Sequence, residues 1–134
     1  LSHYLQFDSM EPDALFSRSE LYMQQGNITS ALIDINRVIE LKPDNPESYC
    51  NRGILKAMSG NPASSLSDFE RAVQLKPNLA NAWFNMSLAQ QSMGEFLSAL
   101  QSVQKAKSLG HIIPESYIRN LELALIKEKN VLNK

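Results

Sequence analysis

Residues 80–113 read ANAWFNMSLAQQSMGEFLSALQSVQKAKSLGHII, and the same pattern of side chains returns along the chain every thirty-four residues. Positions that share this spacing are Gly26, Gly60 and Gly94; Leu32, Leu66 and Leu100; Leu41, Leu75 and Leu109; and Leu15, Tyr49, Trp83 and Tyr117. So many positions in one register indicate an internal repeat, which predicts an array of stacked structural units.

Each thirty-four-residue unit is expected to fold as two helices joined by a tight turn, because apolar residues recur at helical spacing and no strand-like alternation is present. In Gly60-Asn61-Pro62, the glycine ends one helix, the asparagine caps the next, and the proline occupies its first turn. Asn45-Pro46 repeats the cap-then-proline signal. The first helices are expected at 12–25, 46–59 and 80–93, and the second helices at 28–41, 62–75 and 96–109.

These positions resemble the tetratricopeptide repeat family, most clearly in the third unit with Trp83, Ser87, Gly94, Ala99 and Leu109. The resemblance implies an all-α fold: an α-α superhelix, or solenoid, of three helix-turn-helix units in one domain, 1–134. The units are 12–45, 46–79 and 80–113, with a partial helix before them and a capping helix after them.

The sequence departs from the family pattern at a few positions. At the position of the repeat where the first unit has Tyr22, the other two units have Lys56 and Gln90. Ser65 stands where the family has an alanine, and His111 stands where the family has a proline. We expect these departures to weaken individual packing contacts without changing the fold.

The two ends of the chain are expected to form incomplete units. Residues 1–11 read as the last turns of an earlier unit's helix, which indicates either a longer array or precursor or a short native helix that imitates the missing neighbour. Residues 114–130 read as a capping helix that is unusually apolar, with Ile118, Leu123, Leu125 and Ile126 outside the core positions. This helix either packs against a second chain, precedes further units, or is a cap with a few exposed aliphatic side chains.

Composition disfavours several classes of function. Thirteen Lys+Arg against fourteen Asp+Glu leave a net charge of −1, so nucleic acid is not an expected partner. No apolar run approaches the length of a membrane span, so membrane insertion is not expected. The single cysteine, Cys50, excludes an internal disulfide and is compatible with the reducing cytoplasm.

Few residue types that carry catalysis are present, so we expect no enzyme activity, no cofactor and no metal. The two histidines, His3 and His111, have no partner at metal-binding spacing, and no glycine-rich phosphate loop occurs. Cys50 is interpreted as a small apolar residue on a helix. Acidic residues such as Asp34 and Glu40 are expected on solvated outer helices.

The first helices of such an array line its concave side, so their side chains outside the core positions form a candidate peptide-binding groove. The groove residues are Phe16, Glu20, Asn51, Ile54, Met58, Asn81, Phe84, Asn85, Leu88, Ile118 and Arg119. The apolar members predict a contiguous strip. The resemblance implies that Asn51 and Asn85 hydrogen-bond the backbone of an extended peptide, because an amide both donates and accepts.

Some members of the family bind the acidic tails of chaperones through lysine, asparagine and arginine side chains on the first helices. Here Phe16, Glu20, Asn81 and Asn85 stand at those positions, and only Asn51 matches. Such a tail is therefore not the expected ligand.

The sequence thus predicts a protein-interaction module that binds a protein or peptide segment in its concave groove. One alternative is a self-associating scaffold, a homo-oligomer formed through the groove or residues 114–130. A second alternative is a regulatory region of a larger protein.

Overall fold

The computed structural model describes residues 10–133, and this part of the chain forms seven α-helices and no strand. They are α1 Pro12–Gln24, α2 Ile28–Leu41, α3 Pro46–Met58, α4 Pro62–Leu75, α5 Ala80–Ser92, α6 Phe96–Ser108 and α7 Glu115–Leu132. The all-α prediction is confirmed, and each helix begins and ends within two residues of its expected bounds. The segment predicted at 1–11 lies outside the described residues except for Met10 and Glu11, which precede α1.

Glycine ends the first helix of each complete unit. Gly26, Gly60 and Gly94 have positive φ angles of 76°, 82° and 76°. Glycine adopts this left-handed conformation without a steric penalty, so the chain can reverse direction there and start the second helix.

Asparagine caps two of the second helices. The side-chain oxygens of Asn27 and Asn61 accept hydrogen bonds from the backbone N–H of Ser30 and Ser64, each at 3.3 Å. Asn45 lies at the N-cap position of α3, but its side chain makes no capping hydrogen bond, so this part of the expected cap-then-proline signal is wrong. The following Pro46 does begin the helix.

The helices stack in chain order. Each first helix packs on the second helix of its unit, and each second helix packs on the first helix that follows it. In addition, α1 contacts α3, and α3 contacts α5. The first helices therefore lie side by side along one side of the array, which is the concave side in a stack of this kind.

Small and large side chains alternate between facing helices in the core. Phe69 on α4 is 1% exposed, and its ring lies against Gly53 on α3. The equivalent positions in the other two units hold Ser19 and Ser87, whose hydroxyl groups donate to the carbonyl oxygens of Ala31 and Ala99 at 2.9 Å and 2.7 Å.

Two aspartates on second helices are buried, contrary to the expectation that Asp34 lies on a solvated face. Asp34 is 2% exposed and accepts two hydrogen bonds from Arg18 at 2.7 Å and 2.8 Å. Asp68 is 3% exposed and forms the same bidentate pair with Arg52. Glu40 is exposed, as expected. The prediction was wrong at Asp34 because an acidic side chain does not need solvent where a guanidinium group supplies its hydrogen bonds.

Lys56 and Gln90 provide polar contacts at the positions where they replace tyrosine. The Lys56 ammonium lies 3.0 Å from the Asp68 carboxylate. The Gln90 side-chain oxygen accepts a 2.7 Å hydrogen bond from Ser102 on α6. These departures from the family pattern therefore exchange a tyrosine contact for a polar link between the two helices of a unit.

Candidate functional site

The candidate site is an open depression on the concave side between α3 and α5, with a volume of about 590 Å³. Four of the predicted groove residues line it, two from each helix: Ile54 and Met58, and Asn85 and Leu88. Its floor includes Phe69 from α4. The structure thus brings groove residues of two consecutive units to one surface.

The apolar side chains of this depression are open to solvent in part. Met58 is 48% exposed and Leu88 is 39% exposed, while Ile54 is half-buried against the core cluster around Phe69. Exposed apolar side chains that adjoin one another lower the free energy of a complex when a ligand covers them.

The rest of the predicted apolar strip packs in other clusters. Phe16 contacts the core cluster of the first unit. Phe84 and Ile118 pack with the cluster that α7 completes. All three are half-buried, so they border the groove rather than extend the depression between α3 and α5.

An aromatic cluster lies at the C-terminal end of the groove. The rings of Phe84 and His111 are stacked with centroids 4.9 Å apart, and Tyr117 meets Phe84 edge to face at 5.8 Å. The Tyr117 hydroxyl lies 2.9 Å from Ser87 Oγ. Burial raises the pKa of Tyr117, and the Ser87 hydrogen bond opposes this shift. His111 was not among the predicted groove residues, although its replacement of a proline was the available signal.

The same aromatic position makes a different contact in the preceding units. Tyr49 donates to the carbonyl oxygen of Pro43 at 2.7 Å, and the Trp83 indole donates to that of Pro77 at 2.8 Å. Tyr117 bonds Ser87 instead. The exchange of proline for His111 therefore coincides with a different anchor for the aromatic side chain that begins α7.

The two predicted asparagines differ in their hydrogen bonding. Asn51 Nδ2 is buried and has no hydrogen-bond partner among the described residues. Asn85 Nδ2 donates to the Asn81 carbonyl oxygen at 2.8 Å. That bond leaves the Asn85 Oδ1 atom to accept from another donor. Asn81 itself is exposed, and its side-chain oxygen lies 3.6 Å from Cys50 Sγ.

Cys50 is a core residue. It is 1% exposed, and burial, with a smaller contribution from Glu47, raises the pKa of its thiol to about 12. Since the thiolate is the reactive form, this side chain is a poor nucleophile at neutral pH.

The first two helices of the concave side, α1 and α3, together carry three acidic and three basic side chains. Glu20 is exposed, and Asp13 and Glu47 lie 3.6 Å and 3.5 Å from lysines that follow α2 and α4. Arg119 on α7 is exposed at the other end of the groove. The described residues that line the depression are all neutral, so none of them is a cation that could hold a carboxylate.

Within residues 10–133, no group of three or more His, Cys, Asp or Glu side chains is arranged to hold a metal ion. None of the helices described there is both long enough and apolar enough to cross a membrane.

A family model described as tetratricopeptide repeat matches residues 19–82. No curated protein matches the chain. Positions that recur every thirty-four residues continue beyond the matched range, at Trp83, Gly94 and Leu109. The repeat pattern therefore extends through the third unit.

Solved structures of tetratricopeptide domains resemble the whole array. The first such domain of Spaghetti (RPAP3), bound to the HSP90 peptide SRMEEVD, is 20% identical, with a TM-score of 0.82 over 86% of this chain and 93% of that one. The Sgt2 domain from Aspergillus fumigatus is 23% identical, with a TM-score of 0.78 over 94% and 84%. The TPR2B domain of yeast Sti1, solved as a pHsp70 complex, is 20% identical, with a TM-score of 0.73 over 91% and 98%. The family model identifies tetratricopeptide repeats over residues 19–82, and the thirty-four-residue pattern and the stacked helix pairs continue on both sides of that range.

Proposed function

We propose that this chain is a non-catalytic interaction module that binds an extended peptide segment along the first helices. The observation that carries the proposal is the depression between α3 and α5, where Ile54, Met58 and Leu88 adjoin Asn85. Two structural neighbours hold chaperone-derived ligands, which supports a peptide as the class of partner.

The ligand would contact the depression through apolar side chains and the asparagines through its backbone. Burying the exposed parts of Met58 and Leu88 stabilises the complex in proportion to the apolar area removed from water, at roughly 25 cal/mol per Å² before ordering costs. The Asn51 amide would gain a partner by turning toward a peptide carbonyl. A buried N–H without an acceptor is destabilising, so satisfying it adds to affinity.

The preferred segment would lack a cluster of carboxylates. Glu20 is exposed on α1, and Asn81 and Asn85 stand where a two-carboxylate clamp needs cations. Like charge at one end of the groove and the absence of cations at its centre both disfavour an acidic tail, so the chaperone peptides of the neighbours are not the ligands proposed here.

The test begins with peptides selected from a displayed random library on the purified chain. The affinity of a selected peptide is then measured by fluorescence anisotropy for the unchanged protein and for Asn51→Ala plus Asn85→Ala. Each side-chain hydrogen bond contributes about 0.5–1.5 kcal/mol, so the double variant is expected to bind about tenfold more weakly or worse.

A matched control is Gln101→Ala plus Gln104→Ala, which removes two exposed carboxamides from the outer helix α6. It should leave both the affinity and the helical circular dichroism unchanged. Equal affinity for the groove variant and the unchanged protein would show that the asparagines do not take part in binding.

A further inference from the structure

Helix α7 presents an apolar face that nothing in the described chain covers. Leu121 is its one buried residue, and it fills the core cluster of the third unit. On another side of the helix, Leu123 is 55% exposed and Ile126 is 56% exposed. Both line a shallow depression of about 530 Å³ whose remaining lining residues, Asn120, Ala124, Lys127 and Asn130, also belong to α7.

The exposed face has the spacing of a helix–helix seam. Arg119, Leu123, Ile126 and Asn130 follow one another at intervals of four, three and four residues. Residues at these intervals lie in a line along one side of a helix, which is the pattern by which two helices pack together. The seam has two aliphatic residues at its centre and a polar residue at each end.

The charges beside the seam are complementary to those of a second copy of the same helix. Glu122 and Lys129 are seven residues apart, so they lie on the same flank of α7, and both are exposed. When two copies of one helix pair antiparallel about a twofold axis, each flank meets the same flank of the other copy, running in the opposite direction. Glu122 of one copy then lies beside Lys129 of the second copy, and the pair occurs twice.

We propose that α7 associates antiparallel with α7 of a second copy of this chain. Leu123 then packs against Ile126 of the second copy, and Arg119 lies opposite Asn130. A parallel arrangement would place the two Arg119 guanidinium groups against each other, which disfavours it. This interface uses none of the depression between α3 and α5, so the proposal is independent of peptide binding.

Charge exchange distinguishes this geometry from other forms of association. Glu122→Lys places lysine beside Lys129 of the second copy, and Lys129→Glu places two glutamates together. Each variant alone is expected to dimerise about tenfold more weakly than the unchanged chain, because two attractive pairs become two repulsive ones. An equimolar mixture of the two variants restores both attractive pairs, so its dimer is expected to be close to the original in strength.

The measurement is light scattering coupled to size exclusion over a concentration series. The unchanged chain is expected to approach twice its 15.0 kDa mass, and Leu123→Gln plus Ile126→Gln to stay at 15.0 kDa. Because both aliphatic side chains are more than half exposed, that variant should keep its fold. Glu70→Lys, an identical charge change at an exposed position of α4, is the control and should dimerise normally.

Three results would overturn the proposal. The unchanged chain could remain at 15.0 kDa at every concentration. The apolar face of α7 would then contact another protein or another segment of the same protein instead of a second copy of α7. The mixture could associate no better than the single variants. Weakening by Glu122→Lys without any effect of Lys129→Glu would indicate a parallel pair, in which Glu122 meets Lys127 instead.

Discussion

The contact between Gly53 and Phe69 shows how one residue adapts a repeat to its neighbour. A Cβ atom at position 53 would lie 2.6 Å from the Phe69 ring, which is too close for any real contact. At the same two positions of the repeat, the first unit has Ser19 and Ile35, and the third unit has Ser87 and Val103. Glycine therefore occurs in the unit whose facing residue, Phe69, is the largest of the three.

We expect Gly53→Ser to destabilise the protein by about 1–3 kcal/mol, because the added side chain would displace the Phe69 ring from its buried position. Phe69→Ile alone should also destabilise it, through the space it leaves. The combination Gly53→Ser with Phe69→Ile recreates the pair Ser19–Ile35 and should be more stable than the sum of the single changes predicts.

Urea unfolding followed by circular dichroism measures these free energies. If the free-energy changes of Gly53→Ser and Phe69→Ile simply add in the double variant, positions 53 and 69 do not pack as a complementary pair.

Among the elements, the two helices of a unit are joined by an ion pair between a partly exposed arginine and a buried aspartate in the first two units. Arg18 on α1 holds Asp34 on α2, and Arg52 on α3 holds Asp68 on α4. The hydrogen bond to the aspartate raises the pKa of each arginine, so both guanidinium groups stay charged. Within residues 10–133, an additional cation is found at the second pair alone, since Lys56 also reaches Asp68.

This difference predicts unequal effects of the same substitution. Arg18→Met leaves the buried Asp34 carboxylate without its guanidinium, and because the Arg18 side chain is 33% exposed, the free energy of unfolding should fall by about 2–3 kcal/mol, less than for a fully buried pair. Arg52→Met leaves Asp68 paired with Lys56, so it should lower the free energy of unfolding clearly less than Arg18→Met does. Chemical unfolding of the two variants under identical conditions makes the comparison. An equal or larger loss for Arg52→Met would show that Lys56 does not compensate.

Over the whole molecule, the period of thirty-four residues was sufficient to predict the helices, their order and the fold, because each unit repeats the same local signals. Gly26, Gly60 and Gly94 fixed the turns. The burial of Asp34 was not predictable from helix periodicity, since it depends on an arginine sixteen residues away. The stacking of His111 on Phe84 also joins residues far apart in the sequence, and a single sequence gives no direct sign of such a contact.

The groove was predicted at the level of helices better than at the level of side chains. Ile54, Met58, Asn85 and Leu88 meet at one depression, because first helices of consecutive units lie side by side. Phe84 and Ile118 pack instead into the cluster that α7 completes. How much of these two side chains is covered depends on the packing of α7, which the repeat pattern does not specify.

The central claim, that a peptide occupies the depression between α3 and α5, is tested most directly by NMR of the ¹³C-labelled methionine methyl groups. The chain has five methionines, of which Met58 lines the depression and Met86, 4% exposed, lies in the core. On saturation with a library-selected peptide, we expect the Met58 methyl to shift strongly and to show contacts with peptide protons, while the resonance of Met93, at the end of α5, stays in place. An unchanged Met58 resonance at saturation would contradict the account.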